Sequence, residues 1–511
     1  MRRLASKLFS LPWHPLIFSI YPILILYANN IKQAEQFVMF RPLAISVALA
    51  CALLILLRVL FSDWRRVAFF ATILILLFFS YGHVYNYIKS AALFGIVLGR
   101  HRLLLLIWAG LAVMALLIAF RRSLNIENYT ITLNSIALIL LLFPAFASTS
   151  YWLSTRDIPK PYIESAKELT IKKNQSLPDV YYIILDSYTR SDVLKEVYDY
   201  DNSSFLNELN EMDFYVAECS TSNYMWTRAS IASALNMGYL QDNLSYRVAT
   251  DKDIATEDLI KHSLVRQIFE SLGYKTVAFA TGFPFNEITD ADLFLEPPSS
   301  IEGVREFEAL LVQTTLLRVF QDFGYIHINQ KASAKFRDRT LFALSKFDDL
   351  ARLGGPKFVY IHIITPHPPF VFGPHGESIN PKDFVSTEEQ YTDDTYFDGY
   401  VGQVEFINDQ IIKSIQKLLD KSQVPSVIIL QGDHGPWKQQ GENRVSILNA
   451  YYLPEHHDAL YSSISPVNSF RVIFNEYFDA RYPLLEDISY KSLYANIYDF
   501  QLQPTSCDNG R

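Results

Sequence analysis

Five apolar runs follow one another through residues 1–150, at about Leu11–Ala28, Pro42–Phe61, Val67–Tyr87, Leu103–Phe120 and Tyr129–Ala147. A helix needs about 20 mostly apolar residues to cross the hydrocarbon of a bilayer, and a soluble core does not call for five such stretches in succession. The runs therefore predict a five-helix transmembrane region over 1–150. Arg58, near the end of the second, can reach the headgroups with its long side chain. The first run contains Pro12, Pro15 and Pro22 and follows Arg2, Arg3 and Lys7, a pattern that also fits a signal peptide, although no small-residue cleavage site follows it.

Charge divides the chain at the same place. Residues 1–150 hold 13 of the 45 Lys+Arg and three of the 53 Asp+Glu (Glu35, Asp63 and Glu127), which leaves 32 basic and 50 acidic residues for 151–511. An acidic second part repels polyanions, so nucleic acid is excluded as a partner. With the N-terminus inside, the inner segments carry Arg2, Arg3, Lys7, Arg65, Arg66, Arg121 and Arg122. The outer loops carry Lys32, Arg41, Lys89, Arg100 and Arg102. The bias, and above all the paired arginines, predicts a multi-pass protein of the plasma (inner) membrane with its C-terminal part extracytoplasmic. Three cysteines exclude a disulfide framework. Cys219 and Cys507 either pair, in an oxidising compartment, or stay as two buried thiols.

Residues 151–177 open with Tyr151-Trp152 and run through Pro159 and Pro161 into Lys172-Lys173-Asn174-Gln175, which predicts a juxtamembrane stalk. From 178 onward short β-rich runs alternate with amphipathic ones, the pattern of a mostly parallel sheet covered by helices. Strands are expected at Val180–Leu185, Lys275–Ala280, Phe358–Ile361 and Val427–Leu430. Helices are expected over Leu259–Leu272 and Tyr400–Leu419, the latter with apolar positions at Val404, Ile407, Ile411, Ile415 and Leu418.

Chemistry in an open α/β sheet collects beyond the carboxyl ends of its strands. Asp186 follows the first strand. His362 lies at the end of the Phe358 strand, and His367 follows it inside Thr365-Pro366-His367-Pro368-Pro369. Asp433-His434 follows the Val427 strand in a turn bracketed by Gly432 and Gly435. Thr227 opens the small-residue run Thr227-Arg228-Ala229-Ser230-Ile231-Ala232-Ser233-Ala234-Leu235, which reads as a helix with Thr227 as its N-cap. Carboxylates, imidazoles and one hydroxyl brought together make a divalent-metal site with an activated nucleophile. Taken singly, each has a plainer reading: a turn aspartate, a capping threonine, a loop histidine. His367, fixed between prolines, is assigned to substrate oxygens or to the leaving group. Arg228, His362 and Lys438 are candidate substrate contacts. A solvated surface charge is the competing reading for Arg228 and Lys438, and a satisfied core histidine for His362.

The pattern resembles the alkaline phosphatase superfamily in its sulfatase-like branch, and within it membrane-anchored lipoteichoic acid synthases and phosphoethanolamine transferases. Asp-His-Gly at 433–435, Pro-His-Pro at 366–368 and the five spans carry the resemblance, over about 178–450 by motif. It implies an alkaline phosphatase/sulfatase-like domain at 178–511. It also implies that Asp186, Thr227, Asp433 and His434 surround one divalent ion (Mn, Zn, Mg or Ca), with His367 facing substrate. The implied partners are membrane lipids, as a lipid-headgroup donor, and a cell-surface acceptor. Two departures stand out. Formylglycine sulfatases carry Cys or Ser where this chain has Thr227, and a threonine lacks the primary Cβ carbon that an aldehyde requires. Sulfatases usually place two adjacent acids after the first strand, whereas here Ser187 follows Asp186.

The function expected from these residues is movement of a phospho-substituent through a covalent Thr227 intermediate, to water or to an acceptor. A sulfate-ester hydrolase is the alternative among enzymes. A non-catalytic membrane binding protein with a degenerate domain is the alternative of another class.

Overall fold

The computed structural model describes residues 10–31, 34, 37–89, 92–93, 96–97, 100–121, 123, 125–155, 177–241, 252–298, 306–379, 391–493 and 496–505. The charged residues Arg2, Arg3, Lys7, Lys32, Glu35 and Arg122, most of the expected stalk, and Cys507 lie outside them. The chain forms two compact units, one of residues 1–156 with 302–332 and one of 157–301 with 333–511.

The first unit is built from five apolar helices: α1 (His14–Asn29), α2 (Phe40–Leu57), α3 (Trp64–Ile88), α4 (His101–Phe120) and α5 (Ile126–Thr155). Among the described residues α2 to α5 are long and apolar enough to cross a membrane, while α1 has 16 residues and Pro22 inside it. The expected first span is thus helical but short. It packs within the bundle through polar contacts. His14 N donates to Asn134 Oδ1 at 2.9 Å, and Ser46 Oγ donates to Ser19 O at 2.8 Å. Asp63 caps α3 by accepting from Arg65 N at 3.0 Å.

The second unit centres on a seven-stranded sheet. Its strands are β1 (Asp179–Leu185), β2 (Tyr215–Val216), β3 (Lys275–Phe279), β4 (Leu293–Leu295), β5 (Lys357–Ile363), β6 (Ser426–Gly432) and β7 (Asn449–Tyr452), in the order β2-β7-β6-β1-β5-β3-β4. β7 alone runs against the others, antiparallel to β2 and to β6, and the remaining pairings are parallel. All seven residues of β1, β5 and β6 are buried, as the near-continuous apolar sequence of a strand covered on both faces requires. Val180, Tyr182 and Ile184 pack into one core with Ala229, Ile231, Val265, Phe269 and Phe470. Tyr181, Ile183 and Leu185 pack into the other with Val404, Ile407, Ile411 and Ile415.

The helices on these faces include α6 (Thr227–Leu235), α7 (Leu264–Ser271), α8 (Asp393–Lys421) and α9 (Pro466–Phe478). Helix α8 extends the expected Tyr400–Leu419 by about two turns at its start, opening on Asp393 and Asp394 and capped by Thr392. The run expected as one helix over Leu259–Leu272 is two, Lys252–Lys261 and α7, because Ser263 caps a new start. Cys219 is disulfide-bonded and Cys51 is a free, exposed thiol.

One stretch departs from the expected 178–511 domain. Residues 302–332, between β4 and β5, belong to the unit of apolar helices. Their helices are Glu306–Thr314 and Leu317–Asp322.

At the end of the sheet opposite Asp186, Asp179 of β1 and Lys357 of β5 form an ion pair with both side chains 1% exposed. Removing one partner strands the other charge in the core, a loss of about 3–5 kcal/mol. Lys357→Met is therefore expected to lower the melting temperature of the purified protein clearly, and Lys357→Met with Asp179→Leu to recover part of the loss.

Candidate metal and nucleophile site

Register brings the site together. Leu185 of β1 pairs with Ile363 of β5 on one side and with Gly432 of β6 on the other, so the three parallel strands end level. The next residue on β1 is Asp186 and on β6 is Asp433, side by side at the carboxyl edge. Gly432 permits this closeness: a Cβ there would lie 2.2 Å from Tyr188 O. The turn after β1 passes through Ser187 at φ 63°, an uncommon conformation for a residue with a side chain. It is held because Ser187 N donates to Asp433 Oδ1 at 2.9 Å and Ser187 Oγ donates to Asp186 Oδ1 at 3.3 Å.

Asp186, Asp433 and His434 offer ligand atoms that all lie within 4.8 Å of one another, and all three residues are buried. His434 Nδ1 lies 2.8 Å from Gly435 O, a carbonyl that can only accept, so Nδ1 carries the hydrogen and Nε2 presents a lone pair. That Nε2 is 2.9 Å from Thr227 Oγ1, 3.4 Å from Asp433 Oδ2 and 4.0 Å from Asp186 Oδ1. Burial, and then the charge of Arg444, hold the His434 imidazole well below its usual range, against the opposing pull of Asp186.

The two carboxyls are driven apart. Burial and then the Asp186 charge push Asp433 up to about 6. Burial also acts on Asp186, but His367, His362 and His434 outweigh it and hold that group below the usual carboxylate range. Two carboxylates this close resist joint ionisation unless a cation joins them. Asp433 Oδ2 is fully buried and has no hydrogen-bond partner of good geometry. An orphaned carboxylate oxygen, a second carboxylate, an imidazole lone pair and a hydroxyl form a donor set that fits one hard or borderline divalent ion.

Thr227 begins α6, but not as its cap. Trp226 occupies the N-cap position without a side-chain capping bond, and Thr227 is the first helical residue. Its hydroxyl is therefore free of backbone capping and faces His434. Two further residues fix this loop against the Asp-His-Gly turn. Arg444 donates to Gly435 O and lies over the rings of Trp226 and Trp437, at 5.2 and 5.8 Å from their centroids. Trp226 Nε1 donates to Ser492 Oγ at 3.1 Å.

The structure places the other candidates differently. His367 N donates to Asp186 O at 3.1 Å, which ties the Pro-His-Pro loop to the end of β1. Gln403 on α8 supports that loop from behind, donating to Pro366 O at 3.0 Å and His367 O at 3.2 Å. His362 is buried, with Nε2 3.2 Å from Asp186 Oδ2 and Nδ1 2.6 Å from Asn286 Nδ2. It stands behind Asp186. Arg228 donates to Asp253 O at 3.0 Å, lies 3.7 Å from Glu257 and stacks over Phe285; none of these is a site residue. Lys438 pairs with Asp393 at 2.8 Å and donates to Tyr391 O. Sequence reasoning overlooked Gln403, Asn286 and Arg444, which act through backbone carbonyls and a ring nitrogen and lie in no motif.

A family profile described as Sulfatase matches residues 178–463, more than half of the chain. The chain belongs to the sulfatase family. Comparison with curated proteins gave no match. Among solved structures, the integral membrane lipooligosaccharide phosphoethanolamine transferase A of Neisseria meningitidis aligns at 13% identity and TM-score 0.41, over 93% of this chain and 95% of that one. The zinc complex of the periplasmic domain of EptC from Escherichia coli aligns at 10% identity and TM-score 0.44, over 66% and 95%. The lipoteichoic acid synthase LtaP of Listeria monocytogenes aligns at 13% identity and TM-score 0.37, over 64% and 81%. The family assignment rests on the profile.

Because Gly432 sits against Tyr188 O, Gly432→Ala forces the ends of β1 and β6 apart. It is expected to cost about 2 kcal/mol or more and to weaken divalent-metal binding beyond that loss, measured by thermal melting and metal titration on one preparation.

Proposed function

We propose that the chain is a membrane-anchored, metal-dependent enzyme that moves a phospho-substituent through a covalent ester on Thr227, to an acceptor hydroxyl or to water. The observation that carries this reading is Thr227 Oγ1 at 2.9 Å from His434 Nε2, inside the cluster of Asp186 and Asp433. Asp186, Thr227, Asp433 and His434 are the residues that would hold a divalent ion. Such an ion supplies a lowered hydroxyl pKa and compensation for the charge of the transferred group.

The chain's own residues do the rest. Thr227 Oγ, its hydroxyl proton released to solvent, attacks phosphorus in line, forming the Oγ–P bond as the bond from phosphorus to the donor's oxygen breaks. His367, tied to Asp186 and held by Gln403, gives the leaving oxygen its proton. The first-turn amides of α6 favour an anion beside Thr227. In the second step His367 takes the proton of the acceptor hydroxyl or water, the acceptor oxygen bonds to phosphorus, and the Thr227 Oγ–P bond breaks, which regenerates Thr227. A threonine cannot become formylglycine, which favours phosphate over sulfate esters.

Membrane anchorage makes a lipid headgroup the natural donor and a cell-surface molecule the acceptor. The proposed division is a transmembrane region at 1–150, a stalk at 151–177 and an extracytoplasmic catalytic domain thereafter. The disulfide at Cys219 supports an oxidising compartment. Arg65, Arg66 and Arg121 lie at the ends of α3 and α4 remote from the chain's exit at the end of α5, which supports an outward exit.

Protein purified in detergent is expected to carry one divalent ion per chain and to take up label from a headgroup-labelled phospholipid. Thr227→Ala should keep the fold and lose turnover by about a thousandfold or more, and chelation should do the same reversibly. Turnover that persists in Thr227→Ala would overturn the reading. So would release of sulfate from an aryl sulfate by a preparation that takes up no phospholipid label.

A further inference from the structure

The segment 306–325 raises a question that the reaction does not answer, because it lies in the chain of the catalytic part yet packs in the unit of apolar helices. Its seat is specific. Leu316 N donates to Phe78 O at 2.8 Å, and a Cβ added at Gly82 would lie 2.1 Å from Gln313 O, so backbone meets backbone against α3. Phe307 packs with Ile23, Tyr27, Ile31 and Val38. Arg41 pairs with Glu308. Arg318 donates to Asn86 Oδ1 at 2.6 Å and lies 4.6 Å over the Tyr85 ring, and Asp322 bonds His101 Nε2 at 2.8 Å.

The contacts at Tyr27, Val38, Arg41, Asn86 and His101 share one end of the bundle, and Gln313 and Leu316 follow α3 inward from there to Gly82 and Phe78. Tyr27 and Ile31 end α1, and Val38 and Arg41 begin α2. Tyr85 and Asn86 end α3, and His101 begins α4. In a chain that alternates direction with each helix, the ends of α1 and α3 and the starts of α2 and α4 lie on one side. That side is also where α5 ends and the chain leaves. The paired arginines Arg65 and Arg66 lie at the other end. The segment thus caps the bundle on its exit side, at the level where spans meet the headgroups.

Its outer face is apolar. Leu317, Phe320, Phe323 and Tyr325 are 37%, 48%, 52% and 76% exposed, while Arg318, Val319 and Gln321 of the same short helix are buried against the bundle. Nearby Tyr87, at the end of α3, is 90% exposed. Large aromatic side chains left uncovered beside the ends of membrane spans match the composition of the bilayer interface, where rings sit between headgroup and hydrocarbon. In water a contiguous patch of this kind would be a liability.

We propose that Leu317, Phe320, Phe323 and Tyr325 insert into the outer headgroup–acyl boundary of the membrane, so that this insertion of the catalytic chain is a second membrane anchor in addition to the spans. The occupant of the face is lipid. The inference rests on the membrane reading of the helices and not on the reaction, so it stands or falls separately from the role of Thr227.

Site-directed spin labelling tests it in the full-length protein reconstituted into phosphatidylcholine–phosphatidylglycerol vesicles. A Cys51→Ser background removes the free thiol, and single cysteines are introduced as Phe320→Cys, Phe323→Cys and Tyr325→Cys. Leu106→Cys, on the exposed face of α4, serves as the lipid reference. Lys413→Cys, on the surface of α8, serves as the water reference. All these positions are exposed, so labelling leaves the packing intact. Collision with oxygen should exceed collision with a water-soluble nickel chelate severalfold at all three test positions, as at Leu106. Nickel accessibility like that of Lys413 would overturn the proposal. Shielding from both probes would also overturn it, because the face would then be covered by protein.

Discussion

The candidate site depends on three parallel strands ending at the same level. Each of β1, β5 and β6 is buried on both faces, so a slip of one residue would turn its side chains into the wrong core. The two cores therefore lock the register, and the register sets Asp186 beside Asp433. Hydrophobic packing supplies the energy, and the charged groups ride on it. This is why two carboxyls can be held in a buried position that neither would choose alone: the sheet leaves their backbones no alternative.

A second layer of contacts tunes that placement. Ser187 donates to the carboxylates of Asp433 and Asp186, while Gln403, Asn286 and Arg444 bond backbone carbonyls or the far ring nitrogen of site residues. His434 is oriented by Gly435 O, His362 by Asn286, and the Pro-His-Pro loop by Gln403 and Asp186. Such bonds select tautomers and fix ring planes. The Nε2 lone pair of His434 is consequently turned to the one spot shared by both carboxyls and by the Thr227 hydroxyl.

Much of this was legible in the sequence, and for physical reasons. Fully buried strands leave unbroken apolar runs, so β1, β5 and β6 announced themselves, and the polar residues just past them had to lie on one edge. Thr227 stood out as a hydroxyl opening a small-residue helix, with capping as the competing reading. It reads as a helix cap, yet Trp226 holds that position, and this releases the hydroxyl to His434. Arg228 and Lys438 look like anion clamps by charge alone, but Asp253, Glu257 and Asp393 engage them, and such partners cannot be read from spacing. The insertion at 302–332 was hidden because Glu308, Arg318 and Asp322 make it look soluble. Their partners, Arg41, Asn86 and His101, stand more than 200 positions earlier in the chain.

Membership of the sulfatase family and the geometry of Asp186, Thr227, Asp433 and His434 lead to one claim, that a single cation is shared by two carboxylates, one imidazole and the oxygen that reacts. Anomalous diffraction from crystals grown with manganese or zinc tests it most directly. The account predicts one peak, at about 2.0–2.3 Å from a carboxylate oxygen of Asp186 and of Asp433, from His434 Nε2 and from Thr227 Oγ1. A peak that leaves Thr227 Oγ1 outside the coordination sphere, or one bound elsewhere in the chain, would contradict it.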